Sequence, residues 1–132
     1  MLWLFGFLPW TEPEKNKQSE PVLMWERELD AHKPTSSEYA QPVFWRDSVL
    51  VGLSSDTGLR RLNRYTGVYE DTIPSSAPVL SSSIIVKDTV FFADSSGQIQ
   101  AYDLVEGASI WTKDTGTPIV TPMTHSGDSL YI

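Results

Sequence analysis

The chain has 132 residues, 40% of them hydrophobic, which is enough for one cored domain. Ten Lys and Arg stand against seventeen Asp and Glu, a formal net charge of −7. That balance excludes nucleic-acid binding by phosphate neutralisation, which needs clustered cations, and the lack of any cysteine excludes disulfides, thiolate metal ligands, thiol nucleophiles and a lipid-anchor cysteine within this sequence.

Residues 1–10, "MLWLFGFLPW", are apolar apart from Gly6 and Pro9. As a helix they would span about 15 Å, about half the hydrocarbon core of a bilayer, too short to cross it alone. The basic n-region and small-residue cleavage site of a signal peptide are missing. The stretch reads as the tail of a longer export signal or membrane anchor, with Trp3 and Trp10 suited to a membrane interface. A poorly ordered apolar tail and a strand packed on the domain are the other readings. Residues 11–21, "TEPEKNKQSEP", hold three Glu, two Lys and two Pro and read as a polar linker.

From residue 22 onward the chain repeats itself. "PVFWRDSVLVG" (Pro42–Gly52) lies over "SIIVKDTVFFA" (Ser83–Ala93) at a shift of 41. "RLNRYTG" (Arg61–Gly67) lies over "AYDLVEG" (Ala101–Gly107), and "APVLSS" (Ala77–Ser82) over "TPIVTP" (Thr117–Pro122), both at 40. Trp25 lies 86 residues before Trp111, two periods of about 43. Short runs rich in Val, Ile, Phe, Tyr and Thr alternate with Gly, Asp, Asn and Ser, and windows with a helical period are lacking. In the middle repeat this predicts strands at 79–86, 89–94, 98–103 and 108–113. Lys87-Asp88 closes the first hairpin, Asp94–Gly97 the second and Leu104–Gly107 the third. Four-stranded antiparallel units of 40 or so residues, repeated, are blades of a β-propeller. The expected fold is therefore all-β, a partial propeller of about two and a half repeats over 22–132, with the remaining blades of a ring lying outside this chain. On that count the chain is either a truncated product or a piece that associates with others.

The phrase "VFFADSSGQIQAYDLVEGASIW" (Val90–Trp111) resembles the pyrroloquinoline-quinone-type (PQQ-like) propeller repeat. In that pattern an aliphatic strand, small residues and a glycine lead into a strand ending Ala-Leu-Asp. Two residues, Thr-Gly and, four residues on, a Trp follow. Here Gly97, Ala101-Tyr102-Asp103, Gly107 and Trp111 fill those places. The earlier copy has Gly58, Leu62-Asn63 and Thr66-Gly67, but Asp71 where the Trp belongs. The resemblance makes Gly58, Asn63, Gly67, Gly97, Asp103, Gly107 and Trp111 structural repeat positions, with Trp111 packing between blades. The layout at the start also resembles one subgroup, envelope propellers similar to lipoprotein B of the β-barrel assembly machine. There a lone Trp-bearing strand completes the last blade, and "PVLMWEREL" (Pro21–Leu29) would be that strand.

The repeat family includes quinoprotein dehydrogenases, which hold a quinone on the propeller axis with calcium, an aspartate base and often a vicinal disulfide. No cysteine and no matched calcium cluster occur here, so the sequence implies no cofactor, no metal and no catalytic residue. Asp47, Asp88, Asp94 and Asp103 fall at turns or motif positions, where carboxylates satisfy backbone N–H groups. His32 lies in the polar loop "DAHKPTSSE". His125 precedes Ser126-Gly127-Asp128, a hairpin turn rather than a triad, whose members come from distant segments. The expected role is a non-enzymatic scaffold for protein–protein interaction in the bacterial cell envelope, periplasmic, with outer-membrane protein assembly as its setting. Its partners are other proteins, with membrane association through residues 1–10. The alternative is an N-terminal fragment of a PQQ-dependent dehydrogenase.

Overall fold

The computed structural model describes residues 2–7, 20–30 and 40–132, and among these the chain is all-β. The Asn/Asp- and Gly-punctuated runs of β-branched and aromatic residues form two four-stranded antiparallel sheets. The first holds β3 (Val43–Trp45), β4 (Ser48–Gly52), β5 (Leu59–Asn63) and β6 (Tyr69–Ile73), in chain order. The second holds β7 (Ile84–Val86), β8 (Thr89–Ala93), β9 (Gln98–Asp103) and β10 (Ala108–Asp114). These meanders are blades 1 and 2 of a partial β-propeller. On either side stands a two-stranded sheet: β1 (Leu2–Phe7) with β2 (Leu23–Asp30), and β11 (Thr124–Ser126) with β12 (Ser129–Tyr131).

The two blades match residue for residue. Ser48↔Asn63 and Val49↔Leu62 in blade 1 correspond to Thr89↔Asp103 and Val90↔Tyr102 in blade 2. The period falls from 41 to 40 because the loop between the paired Gly52 and Leu59 is one residue longer than that between the paired Ala93 and Ile99. Arg46 and Lys87 open the first hairpin of each blade with φ of 50° and 57°. Gly127 takes the same place in the third hairpin with φ 56°, and an Asp follows each. Only Gly127 adopts this left-handed conformation without a Cβ penalty.

Side chains alternate between blade faces. Val49 and Val51 turn back toward the N-terminal pair, in a cluster with Leu29, Leu53 and Leu62 on which Leu4 and Trp25 pack. Val90 and Phe92, their equivalents, turn back toward blade 1 and meet Leu50, Leu59, Ile73 and Val79. Leu50 faces forward to blade 2, as Phe91 faces forward to β11–β12. Equivalent residues thus share one direction around the arc, and the core is a series of inter-sheet layers. Each fully buried side chain of this size contributes about 1.5–3 kcal/mol.

One segment differs from expectation. The first strand of blade 2 is three residues, 84–86, where the sequence predicts 79–86. Val79, Ser81 and Ser83 are buried, but this stretch carries the chain across from the outer strand of one blade to the inner strand of the next. It is held by single contacts instead of a ladder: Ser81 Oγ donates to the Ala93 carbonyl at 3.2 Å, and Ser95 N–H to the Pro78 carbonyl at 2.9 Å. The apolar N-terminal run, over Leu2–Phe7, is a strand paired with Leu23–Asp30. Residues 11–19 of the linker, and the loop holding His32, lie outside the described residues.

Candidate protein-binding surface

The repeat positions build the same turn twice. Asn63 Oδ1 accepts from Tyr65 and Thr66 N–H at 3.0 and 3.1 Å, and Asp103 Oδ1 from Val105 and Glu106 N–H at 2.8 and 2.9 Å. The Gly67 and Gly107 N–H groups then close onto the Asn63 and Asp103 carbonyls at 2.8 and 2.9 Å, with φ of 69° and 67°. A short acceptor side chain starts the turn and a glycine ends it, which is why those two residue types recur four positions apart. Gly58 and Gly97, with φ of 90° and 98°, each lie close under a backbone carbonyl, of Ile73 and Thr117 respectively.

The acidic residues do different work. Asp94 is buried; its Oδ1 accepts from Ser96 N–H, Ser96 Oγ and Gln98 N–H, and its Oδ2 from Ser76 and Ala77 N–H. It pins the crossover between blades to the β8–β9 turn. Asp88 accepts across the blade boundary from Trp45 Nε1 at 2.9 Å and Arg46 Nη2 at 3.2 Å, while the Arg46 guanidinium lies 4.5 Å from the Trp45 ring centroid. Asp56 pairs with Arg60 Nη2 at 2.8 Å, and Arg60 Nη1 donates to the Leu29 carbonyl at 2.9 Å, tying blade 1 to β2. The Arg60 hydrogen bonds hold the Asp56 carboxyl below its ordinary 3.8, against a smaller opposing effect of burial.

The tryptophan position defines a series. Trp111 lies opposite Ala101, Asp71 opposite Arg61 and Trp25 opposite Gly6. In each pair of strands the ladder is irregular immediately beside that position. Trp25 is clasped by blade 1: its indole Nε1 donates to the Arg64 carbonyl at 2.7 Å, and its ring covers the α-carbon of Gly67. Asp71 instead binds Arg61 Nη2 at 2.6 Å, with the buried Arg61 Nε 3.5 Å from Glu70 Oε2. The space over Gly107 that a Trp at 71 would fill holds only the Tyr102 hydroxyl, at 3.8 Å. Trp111 faces β11–β12 and remains 42% exposed, its ring 6.1 Å from that of Phe91.

Phe91 and Trp111 form one wall of a cleft of about 330 Å³; Val86, His125, Gly127, Asp128, Ser129 and Leu130 complete it. No hydrogen bond joins His125, Ser126 and Asp128 to one another among the described residues, and no three His, Cys, Asp or Glu side chains converge there. All seven residues of β10 are exposed, and Ile110 of that strand, with Val105, Val120, Tyr131 and Ile132, is among the exposed large apolar residues. Sequence reasoning missed Gly6, the Arg64 carbonyl and the Trp45–Asp88 bond. Only Gly6 left a signal, a small residue in the place of Ala101.

No family model matches the chain, and no curated protein matches it in sequence. Solved structures do match in fold. BamB from Moraxella catarrhalis aligns over 83% of this chain with a TM-score of 0.66 and 16% identity. The computationally designed Ika8 protein aligns over 83% with a TM-score of 0.61 and 15% identity. A europium-containing methanol dehydrogenase aligns over 70% with a TM-score of 0.46 and 14% identity. The chain spans about a third of the first two, 36% and 32% of their lengths. At such identities the likeness is one of fold, a propeller arc.

Proposed function

We infer that this chain is a non-enzymatic β-propeller scaffold of the cell envelope, binding other proteins through its exposed blade surface in the setting of outer-membrane protein assembly. The observation that carries this reading is the chemistry of the surface around β10 and the Trp111 cleft. It offers large apolar side chains, such as Ile110 at 54% exposure, framed by polar ones. Apolar surface of this kind on a β-rich arc suits contact with another protein. The fold likeness to BamB and the resemblance of the N-terminal layout to envelope propellers support the same direction. The dehydrogenase alternative needs a cluster of carboxylates for calcium, and no feature of the described residues favours it.

A photo-reactive amino acid at Ile110, on the exposed outer strand, tests the scaffold reading in intact cells. Discrete adducts with envelope proteins are expected. The reading fails if irradiation gives none and the purified chain instead shows saturable, calcium-dependent tryptophan quenching by pyrroloquinoline quinone.

A further inference from the structure

We propose that the β9–β10 turn is an open seat for the indole of a partner protein's tryptophan, carried on a basic segment. The seat lies on the side of blade 2 that faces blade 1, away from the Trp111 cleft, so the inference is independent of the β10 surface.

The chain itself shows what such a turn holds. Trp25 lies over Gly67, where an added Cβ would stand 2.5 Å from the indole Cε3, and its Nε1 donates to the Arg64 carbonyl at 2.7 Å. Blade 2 builds the same turn. Arg64 N–H donates to the Asp47 carbonyl at 2.8 Å, and Leu104 N–H to the Asp88 carbonyl at 2.9 Å. Gly67 and Gly107 have φ of 69° and 67°. The Leu104 carbonyl therefore stands where the Arg64 carbonyl does. Tyr102, paired with Val90, takes the place of Leu62, paired with Val49, in the cluster on which Trp25 packs. Only the ring differs, because the outer strand of blade 1 has Asp71 at the tryptophan position. Gly67 is buried and Gly107 exposed. Among the described residues only the Tyr102 hydroxyl would come within 4 Å of a Cβ at Gly107, and no donor meets the Leu104 carbonyl. Both blades that bound the seat have all four strands, so the opening lies within the arc.

The shape and charge of the seat select its occupant. A bare glycine surface beside an acceptor carbonyl fits a flat ring that carries an N–H on its edge, which is an indole; a phenyl ring has no donor to offer. The Arg61 guanidinium is already held by Glu70 at 3.5 Å and Asp71 at 2.6 Å, Asp71 is half-exposed, and Glu106 is exposed beside Gly107. Carboxylates thus dominate the rim, on a chain of net charge −7. They favour Lys or Arg on either side of the incoming tryptophan.

The probe is the peptide acetyl-Lys-Lys-Trp-Lys-Lys-amide, titrated into the isotope-labelled 132-residue chain and followed through backbone amide resonances. Saturable shifts are expected at Gly107 and its neighbours, with Gly67 unmoved because Trp25 already fills its seat. The same peptide with Leu for Trp should bind about tenfold more weakly. Gly107→Ala puts a methyl group in the seat, and Arg61→Ala with Asp71→Trp fills it from within; each should weaken the Trp peptide by about tenfold. The two peptides on the unmodified chain decide the matter even if a variant fails to fold. No saturable shift at Gly107, equal binding of the Leu peptide, or shifts confined to the Trp111 cleft would each overturn the proposal. So would a Gly107 resonance that moves on dilution of the chain alone, which would assign the seat to a second copy. An unmoved Gly107 together with envelope-protein adducts at Ile110 would leave the scaffold reading standing.

Discussion

Gly67 and Gly107 share a turn, a left-handed φ and a hydrogen-bonding pattern, yet face different surroundings. A Cβ on Gly67 would lie 2.5 Å from Trp25 Cε3, whereas on Gly107 it would meet only the Tyr102 hydroxyl at 3.8 Å. Gly107→Ala should therefore cost about 1 kcal/mol of backbone strain. Gly67→Ala should cost roughly 2–4 kcal/mol, because the indole must also shift and its hydrogen bond to the Arg64 carbonyl weakens. Urea unfolding of the two variants checks the difference. Asp56 gives a pH signature. Its folded pKa is depressed, so the Asp56–Arg60 contact stabilises the fold above the unfolded value and that contribution is lost as pH falls through the folded one. The wild type should be more stable than Asp56→Asn at neutral pH, and the gap should close only as pH falls below the ordinary carboxylate value and through the lower folded one. The pair is solvent-facing, so the gap should be small. A gap that persists unchanged at pH 2 would contradict the assignment.

At the scale of elements, the informative contrast is between the outer strands. Blade 2 keeps the Trp111–Ala101 pair and blade 1 has Asp71–Arg61 in its place, leaving open space above Gly107. Restoring the repeat with Arg61→Ala and Asp71→Trp should seat an indole on Gly107 as Trp25 sits on Gly67. The gain should be about 1–2 kcal/mol, the burial of the ring less a partly exposed ion pair. Thermal unfolding of the double variant should show a raised midpoint with unchanged β-sheet content. The hairpins themselves were legible in the sequence because their turns need particular residues: Asn63 and Asp103 as acceptors, Gly67 and Gly107 for positive φ. The short β7 was not, because Val79, Ser81 and Ser83 keep a strand-like alternation of buried positions while crossing between blades without a ladder partner. Nor could composition tell what Leu2–Phe7 does. An apolar run reads alike for a buried strand and an anchor, and its partner β2 begins beyond a long polar stretch.

The whole molecule is an arc whose layers pack in series: β1–β2 on blade 1, blade 1 on blade 2, blade 2 on β11–β12. The period of 40 to 41 residues made this architecture readable, since every blade-to-blade layer reuses the same positions. The two half blades at the ends were harder to see, because each lacks the strands that carry half of the repeat signature. β1–β2 is the outer half of a blade seated on blade 1, with Trp25 in the repeat's tryptophan place. The most direct measurement is the nuclear Overhauser pattern of the Trp25 indole in the isotope-labelled chain. Contacts from the indole ring to the Gly67 α-protons and cross-strand contacts between Gly6 and Trp25 are expected. An ordered blade 1, seen through Val49–Leu62 cross-strand contacts, with the Trp25 ring showing neither would contradict that placement of β1–β2.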